Sequence, residues 1–172
     1  MTLSSPSAPS SARSRLAGAA LAVAVIGAAA IGGALVFEHV FGYVPCMLCL
    51  WQRWPYYLGV PLALAAAALA RGGTTGAARA ALILVALLFA VGAGLGVHHA
   101  GVEWGFWPGP ASCAGANAAP SSVGGLMESM RGTRIVPCDS AAWRFLGLSL
   151  AGYNALIAAG LSAIAVWGLR RG

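Results

Sequence analysis

Charge is what this sequence has least of. Only 8% of its 172 residues are charged, against roughly 25% in a soluble domain. With 59% hydrophobic residues, that scarcity excludes an ordinary soluble fold and indicates a membrane protein. Lysine is absent; all ten basic residues are arginine, which we ascribe to codon usage and give no functional weight. The formal net charge of +6 invites a nucleic-acid reading, but the arginines are scattered between apolar runs and form no basic stripe. Acids number four, Glu38, Glu103, Glu128 and Asp139. Residues 1–14 contain none of them, are rich in Ser, Pro and Ala, and read as a disordered tail.

What is present is a succession of long apolar runs. Residues 16–37 carry no charge and make a helix of about 33 Å at ~1.5 Å per residue, enough to cross a ~30 Å hydrocarbon core. A cleaved signal peptide is the rival reading, with Arg13 and Arg15 as its basic end and Ala28, Ala29 and Ala30 as a cleavage site. Signal cores run only about 7–15 residues, so we read a span. Further spans fall at about 50–70, 80–97 and 145–169. The second contains Pro55 and Pro61, tolerable in a membrane when neighbours satisfy the freed carbonyls. The third ends with Gly92, Gly94 and Gly96, small enough for close helix approach. The expected fold is all-α: a four-transmembrane-helix bundle within one domain, 15–171, with a long loop, 98–144, between helices 3 and 4. Inside that loop Val123, Leu126, Met127 and Met130 recur at helical spacing and suggest a short amphipathic helix on the membrane.

Orientation follows from arginine. With the N-terminus in the cytoplasm, Arg13, Arg15, Arg71, Arg79, Arg170 and Arg171 are all inside, and all four acids are outside. Arg131, Arg134 and Arg144 are outside too, but long loops translocate largely regardless of charge. Both termini are then cytoplasmic, and the four cysteines, Cys46, Cys49, Cys113 and Cys138, face an oxidising compartment where disulfides persist. Phe41, Tyr43, Trp51, Trp54, Trp104, Phe106, Trp107 and Trp143 gather on the same side as an aromatic belt.

The chemistry lies at residues 45–53, Pro-Cys-Met-Leu-Cys-Leu-Trp-Gln-Arg. If Pro45 opens a helix, Cys46 and Cys49 share one face of its first turn and Arg53 lies one turn further along that face. A thiolate there is favoured by the helix dipole and a nearby cation. Structural zinc is one reading, but the second half-site does not repeat the Cys-x-x-Cys spacing, and we expect no metal. Purely structural disulfides are a second, yet a bridge across so short a loop constrains the unfolded chain little. The third is a thiol–disulfide relay proceeding by thiolate attack and discharging into a lipid-soluble acceptor, with Arg53 neutralising charge at a depth where an arginine is otherwise costly.

The sequence resembles the disulfide bond formation protein B (DsbB) family of bacterial inner membranes. The resemblance covers residues 16–169. It rests on the four spans, on Cys-x-Leu-Cys-x-x-x-Arg at 46–53, and on a loop carrying Cys113 and Cys138. It continues through Gly-Val-Glu-Trp-Gly-Phe-Trp-Pro-Gly-Pro at 101–110 and Cys-Asp-x-x-x-Trp-x-Phe-Leu-Gly-Leu-Ser at 138–149. It implies a protein-disulfide:quinone oxidoreductase that reoxidises a periplasmic DsbA-like thioredoxin-fold protein and takes ubiquinone or menaquinone as cofactor. By the family pattern the partner attacks a Cys113–Cys138 disulfide at Cys113. Electrons pass to Cys46 and Cys49, and Cys49 meets the quinone beside Arg53. A histidine at the outer end of the third span is linked to quinone in the family; here His98 and His99 are adjacent candidates. The chain departs from the pattern at Gln52, where the family has an acidic residue before the arginine.

Two other readings compete, one enzymatic and one of a different class. A vitamin-K-epoxide-reductase-like protein carries its quinone-facing Cys-x-x-Cys in a late span, not before the second. A haem-binding electron-transfer subunit would use His39 and His98 as axial ligands and would leave the cysteines unexplained.

Overall fold

The computed structural model describes residues 10–109, 134–135, 138–141 and 143–170. The amphipathic helix expected around Val123 to Met130 lies outside them. In chain order the elements are α1 (Ser10–His39), β1 (Tyr43–Val44), α2 (Met47–Arg71), α3 (Thr75–Glu103), β2 (Arg134–Ile135), β3 (Arg144–Phe145), β4 (Leu148–Ser149) and α4 (Leu150–Leu169). Helix therefore dominates, as expected. Among the described residues α1, α3 and α4 are long and apolar enough to cross a membrane. Helix α2 is not one of these three; its first turns carry Trp51, Gln52, Arg53, Trp54, Tyr56 and Tyr57, which dilute its hydropathy.

Helix ends differ from the sequence expectation, each for a local reason. Helix α1 begins at Ser10, inside the expected tail. Its first turn is tied down because Arg13 donates to the carbonyls of Ala70, at 3.5 Å, and Arg71, at 2.9 Å, satisfying acceptors that the end of α2 leaves open. Arg15 and Arg79 do the same for α4 through the carbonyls of Arg170 and Leu169. Helix α2 stops at a Schellman turn: Gly73 (φ 88°) takes the left-handed conformation, and Thr74 N–H donates to Leu69 O at 3.1 Å. Helix α3 runs past 97, where we expected the loop to begin, to an equivalent stop. There Gly105 has φ 74°, and Phe106 N–H donates to Gly101 O at 2.9 Å.

The fourth span also starts later than 145. Residues 144–149 form an antiparallel hairpin, β3 with β4, pairing Arg144 with Ser149 and Phe145 with Leu148. Its two turn residues, Leu146 (φ 49°) and Gly147 (φ 83°), both sit at positive φ, which matches the strand twist. Ser149 then caps α4, its Oγ accepting from Gly152 N–H at 3.2 Å. A second pairing, β1 with β2, is parallel and joins Tyr43 to Arg134 and Val44 to Ile135.

The chain divides into two compact units, each built from parts of all four helices. One comprises residues 1–29, 55–91 and 158–172, the other 30–54 and 92–157. In the first, Phe89 is fully buried. It occupies a slot that two glycines create: a Cβ on Gly59 would fall 2.8 Å from its ring, and one on Gly27 would meet both Phe89 and Val60. Tyr56 packs edge-on against it at 5.3 Å, and Leu82, Val85, Val23 and Leu161 complete the core. Described arginines of the short loops, Arg13, Arg15, Arg71, Arg79 and Arg170, all belong to this unit.

The second unit holds the described acids, Glu38, Glu103 and Asp139, and the exposed Phe41, Trp51, Trp54, Trp104, Phe106 and Trp143. Its α3 and α4 approach closely where Gly96 faces Ala155; a Cβ there would lie 2.8 Å from the Ala155 backbone. Gly94, by contrast, faces open space. The two glycines therefore respond oppositely to alanine. Gly94→Ala should gain up to about 1 kcal/mol from helix propensity, whereas Gly96→Ala should lose about 1–3 kcal/mol by overpacking. Thermal unfolding of the purified variants in detergent reads both signs.

Candidate functional site

Helix α2 begins two residues later than the sequence suggests, at Met47. Pro45 precedes it, and Cys46 is its N-cap: Leu50 N–H donates to Cys46 O at 3.1 Å, the first bond of the helix. The cysteine then does what a serine or aspartate does at this position. Its Sγ accepts from Cys49 N–H, three residues on, at 3.3 Å. A negative sulfur suits that place, since the N–H groups of the first turn and the helix dipole favour an anion.

Two further groups converge on the same sulfur. Cys49 Sγ lies 2.9 Å away, well beyond the ~2.05 Å of a disulfide bond, and both cysteines are free thiols. His99 Nε2 lies at 3.7 Å. The Cys49 thiol foremost, then the His99 ring and the Cys49 backbone N–H, outweigh burial and hold Cys46 down at about 4. Cys46 is buried and Cys49 half-exposed.

His99 is itself positioned from behind. Asn154 on α4 donates to Gln52 Oε1 at 2.6 Å. The Gln52 amide nitrogen faces both Leu48 O, at 3.3 Å, and His99 Nδ1, at 2.6 Å. Donation to Nδ1 leaves the ring proton on Nε2, pointing at Cys46, so three helices fix one tautomer. Gln52 is buried, and its neutral amide serves where a carboxylate would add a buried charge. On the other side of the ring, Glu103 Oε1 approaches His99 Nε2 to 3.9 Å.

Arg53 is ion-paired with Glu38 at the end of α1, its side chain only 11% exposed. His98 is exposed; its ring stacks on Trp107 at 5.7 Å, and its carbonyl accepts from the Trp107 indole N–H at 2.9 Å. Gly101 makes room for that indole, since a Cβ there would lie 2.1 Å from the ring. His98 and His99 thus diverge, and His99 is the one beside the cysteines. His39, the other histidine of the haem reading, bonds Leu35 O of its own helix.

Of the loop pair, Cys113 lies outside the described residues. Cys138 is fully buried and disulfide-bonded. It shares one apolar cluster with Cys46, Leu48 and Val102, and Cys49 packs against that cluster. The structure therefore brings three of the four expected cysteines together with His99. Gln52, Asn154 and Glu103 complete the surroundings; nothing in the local spacing marks any of them as a neighbour of His99.

Comparison with known proteins identifies the family of the chain. The family model for disulfide bond formation protein DsbB matches residues 14–168. Among individual relatives, the chain is 31% identical over 145 residues to the Disulfide bond formation protein B of Polaromonas sp. (strain JS666), covering 78% of this chain and 77% of that protein. It is 27% identical over 139 residues to an uncharacterized protein of Rickettsia prowazekii (strain Madrid E), covering 80% of this chain and 78% of that protein. No solved structure matches the chain.

A lowered Cys46 makes a prediction with a definite sign. In the reduced protein the first thiolate is populated above a midpoint of about 4 and lost as pH falls through it. Thiolate ultraviolet absorbance followed against pH should show that midpoint. Cys49→Ala should raise it more than His99→Ala does, because the Cys49 thiol is the larger contributor. A midpoint near the ordinary ~8.5 contradicts the geometry.

Proposed function

The chain belongs to the disulfide bond formation protein DsbB family and acts in disulfide bond formation at the membrane; on that premise we propose that it is a protein-disulfide:quinone oxidoreductase. It resides in the bacterial inner membrane as a four-helix bundle, α2 being the fourth span, with both termini cytoplasmic and the cysteines periplasmic. The segregation of short-loop arginines from acids between the two units supports this orientation.

The observation that carries the reading is the single buried cluster holding a free dithiol against a disulfide-bonded cysteine. Exchange needs a thiolate within reach of another sulfur, and Cys46 is held ready as one. The relay runs as follows. A thiolate of a DsbA-like thioredoxin-fold partner attacks the Cys113–Cys138 disulfide at Cys113; the partner leaves oxidised, with both loop sulfurs reduced. Those sulfurs then reduce a Cys46–Cys49 disulfide, regenerating their own bond. The reduced pair finally gives up two electrons and two protons and closes again.

Ubiquinone or menaquinone, when bound, supplies the two-electron, two-proton acceptor for that last step. The residues present fit such a group. In this orientation Cys49 lies three residues further along α2, toward the lipid, than the cap residue Cys46, so it is the sulfur that a ring dissolved in lipid reaches. Exposed Trp51 and Trp54 sit two and five residues beyond it on α2. Arg53 supplies a fixed positive charge one turn further along, kept in place by Glu38. His99 holds a proton at Nε2, aimed at Cys46, and is the ring whose setting couples the pair to proton exchange; His98 lies at the outer end of the same helix.

Anaerobic mixing of purified protein with a reduced DsbA-like partner and each quinone, followed optically, tests the relay. Cys49→Ser should abolish quinone reduction and Cys113→Ser should abolish partner turnover; wild-type rates in Cys49→Ser sink the proposal. Arg53→His should raise the apparent KM for quinone several-fold, since it removes both the charge and the pairing with Glu38. An unchanged KM reduces Arg53 to an anchor.

A further inference from the structure

Glu103 is the one group at this site that the relay leaves unused. Its side chain is only 6% exposed, and among the described residues Oε2 is the buried side-chain polar atom without a hydrogen-bond partner. A carboxylate buried in that way is costly unless something positive reaches it. Its other oxygen faces His99 Nε2 at 3.9 Å. The ligand atoms of Cys46, Cys49 and His99 meanwhile all lie within 4.8 Å of one another. Two sulfurs, an imidazole and a carboxylate are the donors of a tetrahedral soft-metal site, at about 2.3 Å for sulfur and 2.0–2.2 Å for nitrogen and oxygen.

We propose that the reduced chain binds one thiophilic divalent cation, Zn²⁺ or Cd²⁺, on Cys46, Cys49, His99 and Glu103, and that this cation locks the pair out of turnover. The inference rests on reading Cys46 and Cys49 as a redox pair. It differs from a structural zinc site built on four cysteines, because it exists in one oxidation state only. Binding takes both sulfurs as thiolates and releases to water whatever thiol protons they still carry; no electrons move. Forming the Cys46–Cys49 disulfide consumes both thiolates, so cation and disulfide exclude one another. Thiolates select a soft cation over Mg²⁺ or Ca²⁺.

Gln52 already provides the outer support such a site needs. Cation binding requires the other tautomer: with the Gln52 amide turned over, giving up its donation to Leu48 O, its oxygen accepts from Nδ1–H of His99 and Nε2 is freed for the cation, the arrangement by which ligating histidines are generally held. Asn154, turned likewise, accepts from the Gln52 nitrogen.

The test uses full-length protein in detergent, with Zn²⁺ affinity measured by competition against a chromophoric chelator and with Co²⁺ as a spectroscopic probe. The phosphine-reduced wild type should bind one Zn²⁺ per chain and give a thiolate-to-Co²⁺ charge-transfer band. The oxidised wild type should show neither, a comparison that requires no variant. Glu103→Gln and His99→Ala should each weaken binding by at least about tenfold, the scale on which even an outer-shell partner counts. Equal binding by oxidised and reduced protein, binding that persists in C46A/C49A, or wild-type affinity in Glu103→Gln overturns the proposal. Quinone reduction measured with chelator present separates the two ideas. Wild-type protein that reduces quinone but binds no Zn²⁺ refutes the cation site and leaves the relay standing; protein that binds Zn²⁺ but reduces no quinone does the reverse.

Discussion

A sulfur standing where a helix needs an anion is the constraint on which this structure depends. The first turn of α2 has unsatisfied N–H groups, and Cys46 meets one of them with Sγ. The same sulfur then receives the Cys49 thiol and the His99 ring. Capping and reactivity thus coincide: what stabilises the start of α2 also stabilises the thiolate. That the thiol lies at the cap rather than within the helix matters, because only the cap residue can turn its side chain back onto the N–H of the third helical residue.

The rest of the second unit holds this arrangement still. Asn154, Gln52 and His99 form a chain of side chains from α4 through α2 to α3, and the close approach at Gly96 brings α3 against α4. Arg53 is kept from wandering by Glu38. The α3 stop at Gly105 and the Trp107 ring folded over Gly101 fix the end of the helix that carries both His99 and Glu103. In the first unit, arginines spend their donors on helix carbonyls, and glycines create the slot for Phe89. Chemistry and anchoring are divided between the units.

Local spacing carried much of this in advance. Apolar runs of span length and the Cys-x-x-Cys beside a helix start depend on neighbours in sequence, so they were legible. The links that complete the site were not, because they join residues 47, 53 and 102 positions apart. Nothing in an isolated Gln52 says that it will meet His99, and no periodicity singles out His99 over His98; only the packing of α3 does. Glu38 falls at the end of α1 and Arg53 near the start of α2, helix ends joined by a short link, and that was a usable signal for their pairing. The hairpin at 144–149 was hidden by continuous apolarity, since Phe145, Leu146 and Leu148 read as the start of a span; its Leu-Gly turn announces itself only through positive φ.

The central claim is that a reactive sulfur pair stands where the lipid meets the outside of the cell, drawing reducing equivalents out of protein folding. Alkylation of intact, reductant-treated cells with a membrane-impermeant maleimide, in a chain retaining only Cys46 and Cys49, tests it most directly. The account predicts that the pair is labelled without opening the inner membrane. Labelling that appears only after permeabilisation contradicts it.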